Sequence, residues 1–598
     1  MPSSRRSVHR VPALAVALVA IMVATTLTAR AATVAGQDAP VAERGRPPLA
    51  LHYTTTVQTG DWNRFGVEIQ LRHRTEPATR FALPRWAPGA YRLVNWHEGI
   101  ANVTASMPDG TALEVRRLDD NTWEVANGEA GEFLFSYQVG AVTAVDTQGR
   151  PRLNNRHYLH SLGGLIDGPR TWMYVEGSAG TRVMADFDLP AGWVVATGLN
   201  PTFDPHTYSA EDYDWLIDCP TLVGSAGNIH RWTFTSWGVP FTVAYDAAGG
   251  EVSFDHEAFV ASLKRICDYQ ASIFGGFPFA HFTFIYDNGG GGGLEHLRST
   301  TIGGQASRLE SDPEALWNIS AHEFFHVWNV KRIRPYVLGP FDYQDVNRTQ
   351  SLWISEGMTD TYTTLTGIRA GFYDPETFYD VISGSIANWM SSPAQPYAAP
   401  ARMSWTAWDA RDRNPQGTIS YYTQGEVLGL ALDLIIRHET GNQRSLDDVM
   451  RILMNEHGGE FLEKPGFRTE DFISICSDVA GTDLYDFFEA HVLGTVRPDW
   501  AVWFAYAGLR YQETEEIQPD LQFVASNADE GPYIRQLDRG GVPEEAGLRQ
   551  GDRVQSVNGQ RVTTSGEVAN AVRGAGVGNR IRMVVQRGAE ELTLQWSL

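Results

Sequence analysis

The sequence predicts a multidomain α+β protein: an all-β domain, a larger mostly α domain, and a small strand-rich domain at the end. Three observations carry this expectation. At 598 residues the chain exceeds what one hydrophobic core supports, so three or four domains are expected. Apolar residues alternate singly from about Leu49 to Pro240, recur mostly at three and four from there to about Gly494, interrupted by the strand "HFTFIY" and a glycine run, and the last hundred residues return to short strands and turns. The composition, 43% hydrophobic and 20% charged without a long low-complexity tract, excludes a mainly disordered chain.

At the N-terminus, Arg5, Arg6 and Arg10 precede an apolar run from Val11 to Leu27, and Ala29-Arg30-Ala31 supplies a small-x-small cleavage pattern. Residues 1–31 therefore read as a signal peptide and 32–48 as a leader, which implies a periplasmic or secreted protein. The rival is a retained membrane anchor, for which the run is short. No later segment is apolar enough to cross, so no membrane span is expected in the mature chain. A formal charge of −23 and a pI near 5.1 argue against a nucleic-acid partner. Cys219, Cys267 and Cys476 lie far apart, so neither a disulfide framework nor a thiolate metal site is implied, and at most one bridge can form.

In the first domain (49–240), "FGVEIQLRH" puts Val67, Ile69 and Leu71 on one face, and "FLFSYQV" alternates around Phe133, Phe135 and Tyr137. A sandwich, or something close to it, is the economical architecture. In the second (241–513), "EAFVASLKRICDYQASIF" has helical spacing, and the helices ending at Gly441 and Gly458 both carry the glycine of a left-handed cap. The third (514–598) has a strand, a small helix at "VPEEAGL", and a hairpin signal at Asn558-Gly559. Its "GDRVQSVNG" resembles a recurrent stretch of protease-associated bacterial PDZ domains. That resemblance implies either binding of a peptide C-terminus or a brace for the neighbouring domain.

The chemistry concentrates in "AHEFFHVWNVKRIRP". Asp312-Pro313-Glu314 reads as a helix start that runs into it. His322 and His326, at i and i+4, project from one helical face and can share a metal, with Glu323 beside them as a base. A catalytic zinc needs a third protein ligand, and "LWISEGMTDTY" offers Glu356 in a second apolar helix, with Asp360 four residues later to orient a ligating histidine. The bland alternatives are histidines that merely decorate a helix and a solvated carboxylate pair. Five glycines in "YDNGGGGGLEHLRST" point to backbone that bends tightly or approaches a ligand, against a plain surface loop. Arg332 and Arg334 either bind a substrate carboxylate or, more simply, sit where cations favour a helix C-terminus.

"HEFFHVWNVKRIRP", "WISEGMTDTY" and "LPRWAPGAYRL" together resemble the M61 metallopeptidases, the glycyl aminopeptidase family, within the gluzincins that include thermolysin and the M1 aminopeptidases. The resemblance implies a thermolysin-like zinc peptidase domain holding one Zn²⁺ through His322, His326 and Glu356. The "GGLEH" stretch resembles the GxMEN strand of M1 enzymes. This implies that Glu295, with Gly292 and Gly293 alongside, binds the free amino end of a peptide. "SYYTQGEV" resembles their Y-x-K-G stretch and implies Tyr422 as oxyanion donor. Gln424 replaces the lysine there, and Tyr421 is the alternative. The expected activity is removal of an N-terminal residue, with Gly or Ala implied by family. An endopeptidase that uses its PDZ domain for recruitment, and a non-catalytic binding protein, are the alternatives.

Overall fold

The computed structural model describes residues 48–141, 143–145, 151–153, 156–409, 418–459, 466–514, 519–528 and 531–598. The expected signal peptide and the leader up to residue 47 lie outside the described residues.

Alternation builds the first domain. The strand Arg64–Arg72 buries Phe65, Val67, Ile69 and Leu71 on one face. It pairs antiparallel with Glu132–Gly140, which sets Phe135 opposite Ile69. These strands sit inside an eleven-stranded sheet. A second sheet of four strands, between Tyr158–His160 and Thr221–Ser225, shares its core through Leu159, Ile166, Val195 and Val223. Two sheets closing on one apolar interior make the expected sandwich.

The hairpin Ile229–Ser236 and Val239–Asp246 spans residue 240 and joins a five-stranded mixed sheet with Phe282–Asp287, Ser299–Gly303 and, at the edge, Gly293–Glu295. Helices cover this sheet. His256–Phe274 is capped by Asp255 and closed by left-handed Gly275. Tyr421–Glu439 is followed by Gly441 at φ +58°, as its sequence predicts. Gly458 departs from expectation: Leu446–Glu456 ends without a left-handed residue there, and the glycine is needed because a Cβ would meet Met454 O at 2.6 Å.

The C-terminal domain is a six-stranded sheet with helices Val542–Glu545 and Ser565–Arg573. Asn558 and Gly559 both have positive φ, 50° and 85°, the geometry of a two-residue hairpin turn. Its core, around Ile534, Val557, Ile581 and Val585, is separate from the other two. All three cysteines are buried and free. Among the described residues, no helix is long and apolar enough to cross a membrane.

Candidate active site

The histidine helix is shorter than its sequence suggests. Asp312 does not cap it: its extended backbone ends the preceding helix, and Oδ1 accepts from Glu314 N at 2.9 Å. Pro313 disfavours helical backbone at the residue before it, so a turn intervenes and the helix runs over Trp317–Phe325. His326 follows directly with φ −58° and ψ −17°. Helical geometry therefore persists across the five residues from His322 to His326. His322 and His326 share a face, their Nε2 atoms 3.1 Å apart.

Glu356 meets them from the segment Trp353–Gly357, a wide turn whose closing Met358 N–H bonds five residues back to Trp353 O. Such π turns re-aim side chains relative to a regular helix. Glu356 Oε2 lies 3.3 Å from His326 Nε2 and 3.7 Å from His322 Nε2. Four ligands around zinc at 2.0–2.1 Å stand about 3.3 Å from one another, so these three atoms have the spacing of a coordination shell. His322, Glu323 and His326 also form a group whose ligand-type atoms all lie within 4.8 Å.

The outward nitrogens are fixed. Asp360, on the helix Met358–Arg369, takes His322 Nδ1 at 2.7 Å, and Asn329 O takes His326 Nδ1 at 2.6 Å. With both Nδ1 atoms bonded outward, the Nε2 lone pairs face the shared space. Burial opposes charge on His322, but Asp360, Glu356 and Glu323 hold its imidazole well above the usual range. Burial likewise pushes the Glu356 carboxyl up, and the two histidines reverse it to well below. Carboxylates outnumber imidazoles here, a balance that favours a dication.

Glu323 is buried against Gly293, where a Cβ would overlap its carboxylate. Burial, with Glu295 and Glu356 adding to it, pushes the Glu323 carboxyl up to about 7 against the pull of the histidines. Gly292, at φ +105°, precedes it and accepts from Gly303 N at 3.0 Å. Glu295 follows Gly293 on the edge strand, 3% exposed, its Oε1 buried without a hydrogen-bond partner among the described residues. The Tyr422 ring stacks near His322 at 5.9 Å, and Tyr421 packs on Tyr422 at 5.0 Å. Burial and then Glu356 keep the Tyr422 phenol well above its usual pKa, a neutral donor.

Two residues escaped the sequence reasoning. Tyr91, in the "LPRWAPGAYRL" segment of the first domain, donates to Glu356 Oε1 at 3.3 Å, on the carboxylate oxygen turned away from the histidines. Two residues earlier, Gly89 at φ +93° lies where a Cβ would meet Glu295 Oε1 at 2.5 Å. The motif is visible in the sequence, but no local signal links it to Glu295 or to Glu356, which lies 265 positions from Tyr91. Nothing in the sequence singles out Asn329. Its amide donates to Ile354 O at 2.8 Å, Ser355 O at 3.2 Å and Thr359 Oγ1 at 3.1 Å, tying the histidine segment to the Glu356 turn. Arg332 and Arg334 are not at a helix C-terminus, since the helix ends at Phe325. Both are buried, and Arg332 holds the Val327 and Leu297 carbonyls at 2.8 and 3.1 Å.

The sequence pattern of the M61 glycyl aminopeptidase family matches residues 315–428, that of the peptidase M61 N-terminal domain residues 52–225, and that of the PDZ domain residues 519–598. Among solved structures, an aminopeptidase N family protein from Idiomarina loihiensis shares the fold over 92% of this chain and 96% of its own, with a TM-score of 0.77 and 22% identity. An M1 zinc metallopeptidase from Deinococcus radiodurans covers 75% of this chain and 95% of its own at a TM-score of 0.48 and 14% identity. Serine protease HTRA1 from Xenopus laevis is 31% identical over 94 residues, 15% of this chain and 20% of that protein, so the chain spans about a fifth of this curated relative's length. The patterns of both M61 peptidase domains thus match this chain in order, followed by that of a PDZ domain.

Proposed function

We propose that this protein is an exported zinc aminopeptidase that hydrolyses the first peptide bond of peptides with a free N-terminus, Gly or Ala first. One observation carries the reading: His322 Nε2, His326 Nε2 and Glu356 Oε2 converge at 3.1–3.7 Å beside Glu323, with a buried, unpartnered Glu295 oxygen close by. The three converging atoms would hold Zn²⁺, which when bound polarises the scissile carbonyl and lowers the pKa of water towards about 7.

The chain's own residues supply the rest. Glu323 accepts the proton of the attacking water and returns it to the leaving amine. The Tyr422 phenol donates to the oxygen that becomes negative in the transition state, with Tyr421 as the alternative donor. Glu295 receives the substrate's ammonium, and Asp360 and Asn329 O keep the imidazoles aimed. A carboxylate placed there rewards a terminal ammonium over an internal amide, which supports exo- over endopeptidase action. The family's description as glycyl aminopeptidase supports a small first residue. Residues 1–31 support export to the periplasm or beyond, and the PDZ domain supports contact with a peptide C-terminus.

The test is metal content together with cleavage of Gly- and Ala-anilides, their N-acetyl equivalents, and both after chelation. The expected result is one zinc per chain, turnover of free anilides, little of blocked ones, and loss with chelator. Equal turnover of blocked and free substrates would establish an endopeptidase instead.

A further inference from the structure

The boundary between the first two domains carries a charge arrangement that the hydrolytic chemistry does not use. Glu295, Gly89, Tyr91 and Lys331 line one cavity of about 10 Å³. This is room for about one water-sized group, the size of an ammonium. Lys331, 3% exposed, is the one residue among those lining this cavity that carries such a cation. Paired with Glu295, it would occupy the place where the substrate's amino end is received.

It is held elsewhere. Lys331 Nζ stands 2.9 Å from Oδ1 and 2.9 Å from Oδ2 of Asp218. Asp218 ends the short helix Tyr213–Ile217 of the first domain and is 2% exposed. The same carboxylate accepts Leu297 N at 2.9 Å and faces His296 Nδ1 at 3.1 Å, so it also grips the two residues that follow Glu295. A buried carboxylate with three partners on two segments is fixed in place, and so is the cation it holds.

We propose that Asp218 is a positioning residue for recognition of the amino terminus. By retaining the Lys331 ammonium it keeps Glu295 free to bind the ammonium of the substrate. The inference rests on the role given to Glu295 above. Without the negative charge at 218, the flexible lysine turns to the carboxylate with which it shares a cavity, and an internal ion pair competes with substrate.

The experiment compares wild type with Asp218→Asn, Lys331→Met, the double variant and Glu295→Gln, measuring kcat and KM on free and N-acetylated Gly-anilide, with zinc content and melting temperature. Asp218→Asn is expected to raise KM for the free substrate about tenfold or more, with kcat and zinc little changed. Removing the cation as well, in the double variant, is expected to return KM towards wild type, a recovery that a merely structural role would not give. A folded, zinc-loaded Asp218→Asn enzyme with unchanged KM overturns the proposal, as does a raised KM that the double variant does not recover. Should Asp218→Asn fail to fold, the double variant decides alone: near-wild-type KM supports the proposal and a tenfold loss overturns it. If wild type fails to discriminate free from blocked substrate and Glu295→Gln keeps its KM, the reading of Glu295 fails and this inference falls with it. Wild-type discrimination with an unresponsive Asp218 sinks this inference alone.

Discussion

Asn329 shows how much one side chain settles around this site. Its carbonyl aims His326 while its amide bridges to three groups of the Glu356 turn and the helix after it. Asn329→Ala leaves two carbonyls and a hydroxyl without that donor in a buried place, so a loss of about 1–3 kcal/mol is expected by denaturant unfolding, together with weaker zinc retention. Tyr91→Phe removes a single donor to Glu356 and keeps the ring. Zinc affinity is expected to fall about 10- to 100-fold in competition with a chelator, while the fold is kept. Glu323→Gln is expected to keep the metal and lose turnover by about 10²–10⁴, which metal analysis alongside kinetics separates from ligand loss. A Glu323→Gln enzyme with full activity would remove the proposed base.

The element on which the centre depends is the contact between the Glu356 turn and the tyrosine helix. Gly357 and Gly425 face each other so closely that a Cβ on Gly425 would overlap Trp353 O and meet Gly357 Cα at 2.6 Å. Gly425→Ala must separate the two segments. The expected cost is about 1–3 kcal/mol, read as a lower melting temperature, with a larger loss of activity because both Glu356 and Tyr422 move. This contact also marks where sequence stops being informative. His322, Glu323 and His326 were legible because helical periodicity places them locally, and strands such as Arg64–Arg72 because alternation does. Glu356 was legible as a carboxylate in an apolar run, but not the π turn beneath it, which packs against Gly425 from a distant helix. Asp312 misled because Asp-Pro-Glu is a sound cap signal that here serves a turn. Tyr91 bonds to a residue 265 positions away, a distance over which spacing carries no information.

At the scale of the molecule, the PDZ core around Ile581 and Val585 shares no residue with the other two cores. Calorimetry is therefore expected to show a separable transition for it, and Trp596→Ala, which empties part of that core alone, is expected to shift that transition and leave peptidase activity in place. Chelation is expected to lower the melting of the larger transition only, since the proposed zinc would bind the folded catalytic domain. The first domain stands differently. It lays Gly89 against Glu295 and Tyr91 against Glu356, so the centre is a joint product of two domains. A growing polypeptide on the ribosome has residues 89 and 91 long before residue 422 is made, and it holds no assembled centre until that late segment has emerged and docked.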